Sequence, residues 1–285
     1  MRVRAPATSG NLGPGFDCAG AALDLWNELE LTEGEGVEVS GEGAGEIPLG
    51  PEHLGLKAFA LLAPVEGKHF VFRNRIPLAR GLGSSAATIA LGLAAATFHL
   101  GRRPDVEELL ERGLELEPHP DNLAPAFAGG VCLTWESDGR HRVARLAQTL
   151  PLVPIAVVPE VRVETASARA ALPAELSHAD ATFTVARAAL LGAGVVAGSP
   201  ELLAEAFEDR LHEPYRAPLS PVYAPIRKQL PAGAVGVTIS GSGPTVLVWM
   251  REAEAVACEQ ELCSRFPAER VLRLAIAPTG AGPLQ

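Results

Sequence analysis

Two hydroxyls and two glycines stand together in Pro77-Leu78-Ala79-Arg80-Gly81-Leu82-Gly83-Ser84-Ser85-Ala86-Ala87, directly ahead of the apolar run Thr88–Leu100. Glycine lets the backbone approach a ligand closely, and a helix starting here presents unpaired N–H groups at its positive end. That combination suits a phosphate. No Gly-Lys-Ser/Thr follows, so the common phosphate loop is excluded. The same residues satisfy a loose dinucleotide pattern, which needs glycines at a strand end and an acid on a second strand about 20 residues on. Here the candidate strand His69–Asn74 stops early, Pro77 intervenes, and the first acid beyond the helix, Asp105, opens another helical stretch. The nicotinamide reading fails.

Behind this loop, the sequence predicts a buried helix at Thr88–Leu100 and a capped one at Asp105–Glu117, with Glu108 three residues after Asp105. Residues 2–5 alternate as a short strand, and 6–17 read as a loop by composition. Ala21–Thr32 and Val37–Ser40 read as strands, Leu54–Leu62 as a helix, and Val131–Trp135 with Arg142–Ala147 as a hairpin. Beyond a proline-marked boundary near 150, the apolar strand Ile155–Val158 precedes helices at 164–171, 178–194, 200–208 and 221–229. Strands at 235–239, 245–250 and 271–276, with a helix at 252–266, complete the pattern. Alternation in both halves indicates an α/β or α+β protein in two parts, 1–150 and 151–285, with a frayed tail at 278–285.

The 285 residues are 47% hydrophobic and carry a net charge of −10, which argues against nucleic acid or an anionic membrane as the main partner. The N-terminus lacks the apolar core of a signal peptide, and Thr88–Leu100 is too short to span a bilayer. Four cysteines (Cys18, Cys132, Cys258, Cys263) form no C-x-x-C pair and read as free thiols of a reducing cytoplasm. A polyanionic substrate must then be met by local positive groups and metal.

Two further loops, Asn11–Asp17 and Ser240–Thr245, are individually weak signals. The order PATSGNLGPGFDCAGAALDL, PLARGLGSSAA, GVTISGSGPTVLV resembles the galactokinase–homoserine–mevalonate–phosphomevalonate (GHMP) kinase family. The first string is in the form carried by members that act on homoserine. Glu117-Pro-His119-Pro-Asp121-Asn122-Leu-Ala-Pro125, Thr165-Ala-Ser-Ala-Arg169 and His212-Glu-Pro-Tyr215-Arg216 match later segments of those members. Departures are Gly10 for alanine, Pro118 for glycine, Glu213 for glutamine and Ser242 for alanine, with His53 near an expected asparagine.

The resemblance implies an N-terminal α/β nucleotide domain, a C-terminal ferredoxin-like α+β domain, a homodimer, ATP and Mg²⁺ as cofactors, and phosphorylation of L-homoserine on the threonine route. It implies that Pro77 through Ala87 cradle the nucleotide phosphates, with Ser85 and Glu117 as metal ligands. Ser84 reads as an N-cap alongside its phosphate contact, and Glu117 alternatively as a solvated carboxylate at a helix end. A zwitterionic substrate needs a carboxylate clamp and an ammonium acceptor. The resemblance assigns Arg169 and Arg216 to the first, Asp17 and Asn11 to the second, with His119, Thr165 and Gly241 nearby. His119 between two prolines reads equally as a structural loop residue, and Asp17 alternatively as a helix cap. Asn122 is expected to orient the hydroxyl or the γ-phosphate, alongside Arg169 and His119, with Asp121 bracing the loop through backbone N–H bonds. A mevalonate-type kinase would not need the arginine pair beside an acid. A ligand-binding regulator of the same fold would not need Ser85 and Glu117.

Overall fold

A computed structural model of the chain describes residues 1–284. Strand β1 (Arg2–Asn11) and the long β2 (Gly15–Glu33) form a hairpin at the centre of a seven-stranded sheet. The far edge of β2 is shared: its first part pairs β5 (Val131–Ser137), and its second pairs β4 (Lys68–Asn74). β3 (Gly36–Gly41) runs parallel to β4, and β6 (Arg140–Ala147) closes the β5 hairpin. Helices α1 (Leu54–Ala60), α2 (Ser84–His99), α3 (Val106–Leu114) and α4 (Pro120–Ala128) accompany this sheet. Twelve of the sixteen α2 residues are buried, as its uniform apolarity requires.

The second sheet has the order β10-β7-β9-β8, built from β7 (Val153–Val158), β8 (Ala234–Ile239), β9 (Val246–Met250) and β10 (Arg270–Arg273). Between β7 and β8 lie α5 (Thr165–Ala170), α6 (His178–Ala197), α7 (Pro200–Ala206), α8 (Glu213–Arg216) and α9 (Tyr223–Lys228). With α10 (Glu252–Arg265) between β9 and β10, all pairings antiparallel, this is the ferredoxin-like arrangement. α6 is long and apolar enough to cross a membrane, but Leu191, Gly194 and Val195 are buried on its inner side and Gly194 lies against Leu203 of α7. The main core is continuous across both sheets: it includes Leu12 and Ile89 together with Leu191, Leu203 and Trp249.

Three expectations are corrected. Residues 6–17 are mostly strand, since β1 runs to Asn11 and β2 begins at Gly15. Their small residues are dictated by crowding, not by a loop. A Cβ at Gly10 would lie 2.2 Å from the Asp121 carboxylate, and one at Gly20 would meet the Asp121 backbone carbonyl. The strand expected at 271–276 stops at Arg273, because the chain leaves the small sheet and bridges Ile276 to Leu23 of β2. From Pro278 to Leu284 the tail is not frayed, Gln285 lying outside the described residues: β11 (Gly282–Pro283) pairs with β1, and Ala281 N–H donates to Ala126 of α4.

Candidate active site

The three glycine loops meet at one cleft between the sheets. Gly83 is the α2 N-cap in left-handed conformation (φ 63°), and a Cβ there would lie 1.8 Å from the Thr8 hydroxyl. Gly81 (φ 76°) sits against the Ser240 and Gly243 carbonyls, with 2.3 Å left for a Cβ. Only glycine fits both the torsion and the space. Ser240 Oγ lies 2.6 Å from the Gly81 carbonyl and 2.9 Å from Ser9 Oγ, while Gly241 N–H donates to Gly10. The first turn of α2 carries no acidic residue of its own, and Gly83, Ser84 and Ser85 at the helix's positive end line the cleft.

Ser85 is exposed at this helix start, and Ser84 is buried with a side-chain oxygen that has no hydrogen-bond partner. Ala79 through Ser85 line the cleft. Pro77, Leu78, Ala86 and Ala87 do not: the two alanines are in the core, and Leu78 lies close against Gly43. Arg80 donates to the carbonyls of Leu78, Pro159 and Glu160, which ties the loop to the end of β7.

Glu117 lies three residues beyond α3, its N–H still donating to Gly113 O in the helix's last turn. Its Oε1 is 3.2 Å from His119 Nδ1, and this hydrogen bond is the leading cause that raises the His119 pKa. His119 starts α4, whose second and third residues are Asp121 and Asn122. Asp121 is buried and accepts from Asn11 N–H (3.2 Å) and, weakly, from Asn122 Nδ2 (3.4 Å). Burial pushes its carboxyl up to about 6, with the Asp17 charge adding to the rise. Asn122 Oδ1 accepts the Thr8 hydroxyl at 2.9 Å. Gly10, lacking a methyl, is what allows the Asp121 carboxylate this position.

Asn11, with φ 70°, donates from Nδ2 to Gly241 (2.8 Å) and accepts from Asp17 N–H (3.0 Å). It therefore fixes the Asp17 turn against the third loop. Arg169 Nη2 donates to both Asp17 carboxylate oxygens at 2.9 and 3.0 Å. Arg216 is 3% exposed and pairs with no carboxylate among the described residues. Its partners are neutral: Gly241 O at 3.1 Å, His212 Nδ1 at 3.3 Å and Ala168 O at 3.5 Å. Both guanidiniums lie over the Phe16 ring, at 5.6 and 5.2 Å. Thr165 is exposed at the start of α5, and Gly241 completes the wall.

Helix α8, only four residues long, is too short to hold Arg216 by its own hydrogen bonds. Side chains do it instead. Asp209 accepts the N–H groups of Leu211, His212 and Glu213. Glu213 accepts Ile239 N–H at 2.6 Å and the Tyr223 hydroxyl at 2.8 Å, and burial pushes its carboxyl up to about 7. Sequence reasoning missed Thr8, Phe16, Asp209 and His212 as parts of the site. Phe16 and His212 stood within recognised motifs, but nothing local showed that they would stack, at 5.3 Å.

This fold, with a glycine cradle at the N-terminus of a buried helix and a pocket of arginines and carboxylates beside it, defines a small-molecule phosphotransferase. The chain belongs to the GHMP kinase family: models of the family's N-terminal and C-terminal domains match residues 52–130 and 187–268. Among relatives, the homoserine kinase of Streptomyces avermitilis is 41% identical over 90% of this chain and 87% of its own length. That of Moorella thermoacetica is 40% identical over 87% of each. The crystal structure of homoserine kinase from Cytophaga hutchinsonii superposes with a TM-score of 0.86 at 28% identity, covering 100% of this chain and 97% of that one. L. major mevalonate kinase in complex with R-mevalonate shares the fold, with a TM-score of 0.73 at 14% identity and coverage of 98% and 97%.

Proposed function

We propose that the chain transfers the γ-phosphoryl group of ATP to the side-chain hydroxyl of L-homoserine, giving O-phospho-L-homoserine. The observation that carries this reading is the convergence of Arg169, Arg216 and Asp17 on a cleft walled by the α2 cradle. Relatives named homoserine kinase, alike over most of the chain, supply the substrate. In this reading residues 1–150 hold the nucleotide and 151–285 complete the amino-acid side.

The donor set fits its cofactors. Glycines that exclude any Cβ, free N–H groups at the α2 start and the unpartnered Ser84 hydroxyl suit phosphate oxygens. Ser85 and Glu117 offer two hard oxygens on the same cleft, which matches a cation that keeps most of its water. Bound there, Mg²⁺ supplies charge neutralisation across the transferring phosphates.

Phosphoryl transfer asks the protein mainly for position and charge. Arg216, a buried cation without a counter-ion, takes the substrate carboxylate, with Arg169 as its second donor. Asp17 takes the ammonium. In this chain Asp17 and Arg169 pair with each other, so the zwitterion replaces that pair with one between its carboxylate and the two arginines and one between its ammonium and Asp17. Asn122, anchored by Thr8, points its remaining amide capacity at the hydroxyl or the γ-phosphate. Asp121 holds the Asn11 backbone and thus the Asp17 turn. The thiols are all free, which suits a cytoplasmic enzyme. A homodimer is the expected assembly, and the outer side of α6, with Val185 and Val196 69% and 68% exposed, is a suitable face for it.

A coupled ATP assay against homoserine, mevalonate, serine and galactose tests the reading. Homoserine should be preferred by orders of magnitude in kcat/KM; equal or better turnover of an acceptor without an α-amino acid head would overturn it.

A further inference from the structure

Resting on the reading that Arg216 takes the substrate carboxylate, we propose that His212 is a positioning residue that aims the Arg216 guanidinium through a fixed tautomer. His212 is fully buried and its ring nitrogens face different partners. Nε2 lies 2.8 Å from the carbonyl of Gly13, in the turn between β1 and β2. A carbonyl only accepts, so Nε2 carries the proton. Nδ1 lies 3.3 Å from Arg216 Nη1, and a guanidinium only donates, so Nδ1 must be bare. The two contacts demand the same neutral tautomer. Burial agrees, holding the ring's pKa down at about 4.

The consequence is a link between two parts of the pocket. Gly13 belongs to the hairpin turn that leads into Asp17, the ammonium acceptor, and Arg216 is the carboxylate donor. His212 joins them across 199 residues of sequence, and its ring stacks on Phe16, over which both arginines lie. The imidazole thereby adds a second brace between the two charged ends of the pocket, beside the Gly241 carbonyl that accepts from both Asn11 and Arg216. Asp209, 3.7 Å from Nε2, caps the α8 backbone and does not take over the Gly13 bond.

Two variants separate the ring's two bonds. In His212→Gln the amide reaches the place of Nε2 and keeps a donor for Gly13, but Arg216 loses its acceptor. In His212→Asn an acceptor remains near the place of Nδ1, and the Gly13 bond is lost. A hydrogen bond to a charged group is worth enough that His212→Gln should raise the homoserine KM roughly 10- to 100-fold, with the ATP KM within about twofold of wild type. The effect of His212→Asn should be smaller. With 3-amino-1-propanol, which lacks the carboxylate, His212→Gln and wild type should have the same kcat/KM, and in an Arg216→Ala background His212→Gln should add nothing. An equal loss of kcat/KM for both acceptors makes His212 merely structural and overturns the proposal. An unchanged homoserine KM in Arg216→Ala overturns the clamp itself, whereas a raised one with wild-type behaviour of His212→Gln overturns only the role of His212. The tautomer is read independently on the wild-type protein by ¹⁵N NMR: a proton on Nε2 and none on Nδ1 at neutral pH is required, and the reverse tautomer sinks the proposal whether or not the variants fold.

Discussion

At the scale of single residues, the site separates charges that react from charges that hold. Glu117 shares the cleft with Ser85 and is bonded only to His119 among its neighbours, so it is free to bind a cation. Glu117→Gln should lower kcat on the order of a hundredfold or more at saturating Mg²⁺, the usual cost of losing one transition-state charge contact. The ATP dissociation constant by calorimetry should change far less. Wild-type turnover would remove Glu117 from the site. Asp121 is the contrasting case, buried and committed to the Asn11 N–H. A general base contributes ~10²–10⁴-fold, and the loose transition state of phosphoryl transfer asks little of one. Asp121→Asn, checked for folding by circular dichroism, should therefore lose less than about a hundredfold in kcat. A loss beyond about a thousandfold with ATP binding intact would identify Asp121 as the base.

At the scale of elements, α8 shows how a four-residue helix is held rigid by its surroundings. Glu213 is the strap to β8 and Tyr223. Its folded pKa, about 7, is raised above the ordinary 4.5 by burial, so the folded state binds a proton that the unfolded state releases. Stability from this group is present at low pH, falls as pH rises from 4.5 towards 7, and is fully lost above. Gln at this position keeps an acceptor for Ile239 N–H, and its amide N–H donates to the Tyr223 oxygen, as the protonated carboxyl does, without titrating. Glu213→Gln should then match wild type in thermal melts near pH 4.5 and exceed it at pH 8 by roughly 2–8 °C. Equal melting temperatures at both pH values would show that Glu213 stays ionised in the fold.

At the scale of the whole molecule, the two sheets are bound by a common core and by a returning C-terminus. After β10 the chain re-enters the large sheet: Ala277 exchanges hydrogen bonds with Ala22 and Gly130, Ala281 donates to Ala126, and Leu284 to Arg2. The Ala281 bond ends on α4, the helix that carries Asp121 and Asn122. Removal of residues 278–285 should lower the melting temperature by roughly 2–6 °C, the loss of a few net hydrogen bonds and their packing. It should also lower kcat more than the ATP affinity. A truncated protein indistinguishable from the full chain in both measurements would mean that the tail only rests on the surface.

Much of this was legible locally. The glycines and hydroxyls of 77–87 marked a phosphate cradle, because torsional freedom and helix-end donors are properties of short segments. Periodicity placed most helices and strands for the same reason. What periodicity misread was crowding: Thr8, Ser9 and Gly10 look like loop residues, yet the starts of α2 and α4 press on Thr8 and Gly10, and Ser240 of the third loop on Ser9. The tail 278–285 looks free because its partners, β1 and α4, lie at least 150 residues away in sequence. Glu117 and Arg169 came from motif resemblance, since nothing in an isolated glutamate or arginine distinguishes a ligand from a surface charge. The partners of Arg216 were beyond any local reading. Which buried cation lacks a counter-ion, and which histidine nitrogen faces it, depends on groups from Gly13, Ala168, His212 and Gly241 meeting in space. Sequence determined the chemistry available to this protein; tertiary structure alone decided which charges were left unpaired to use it.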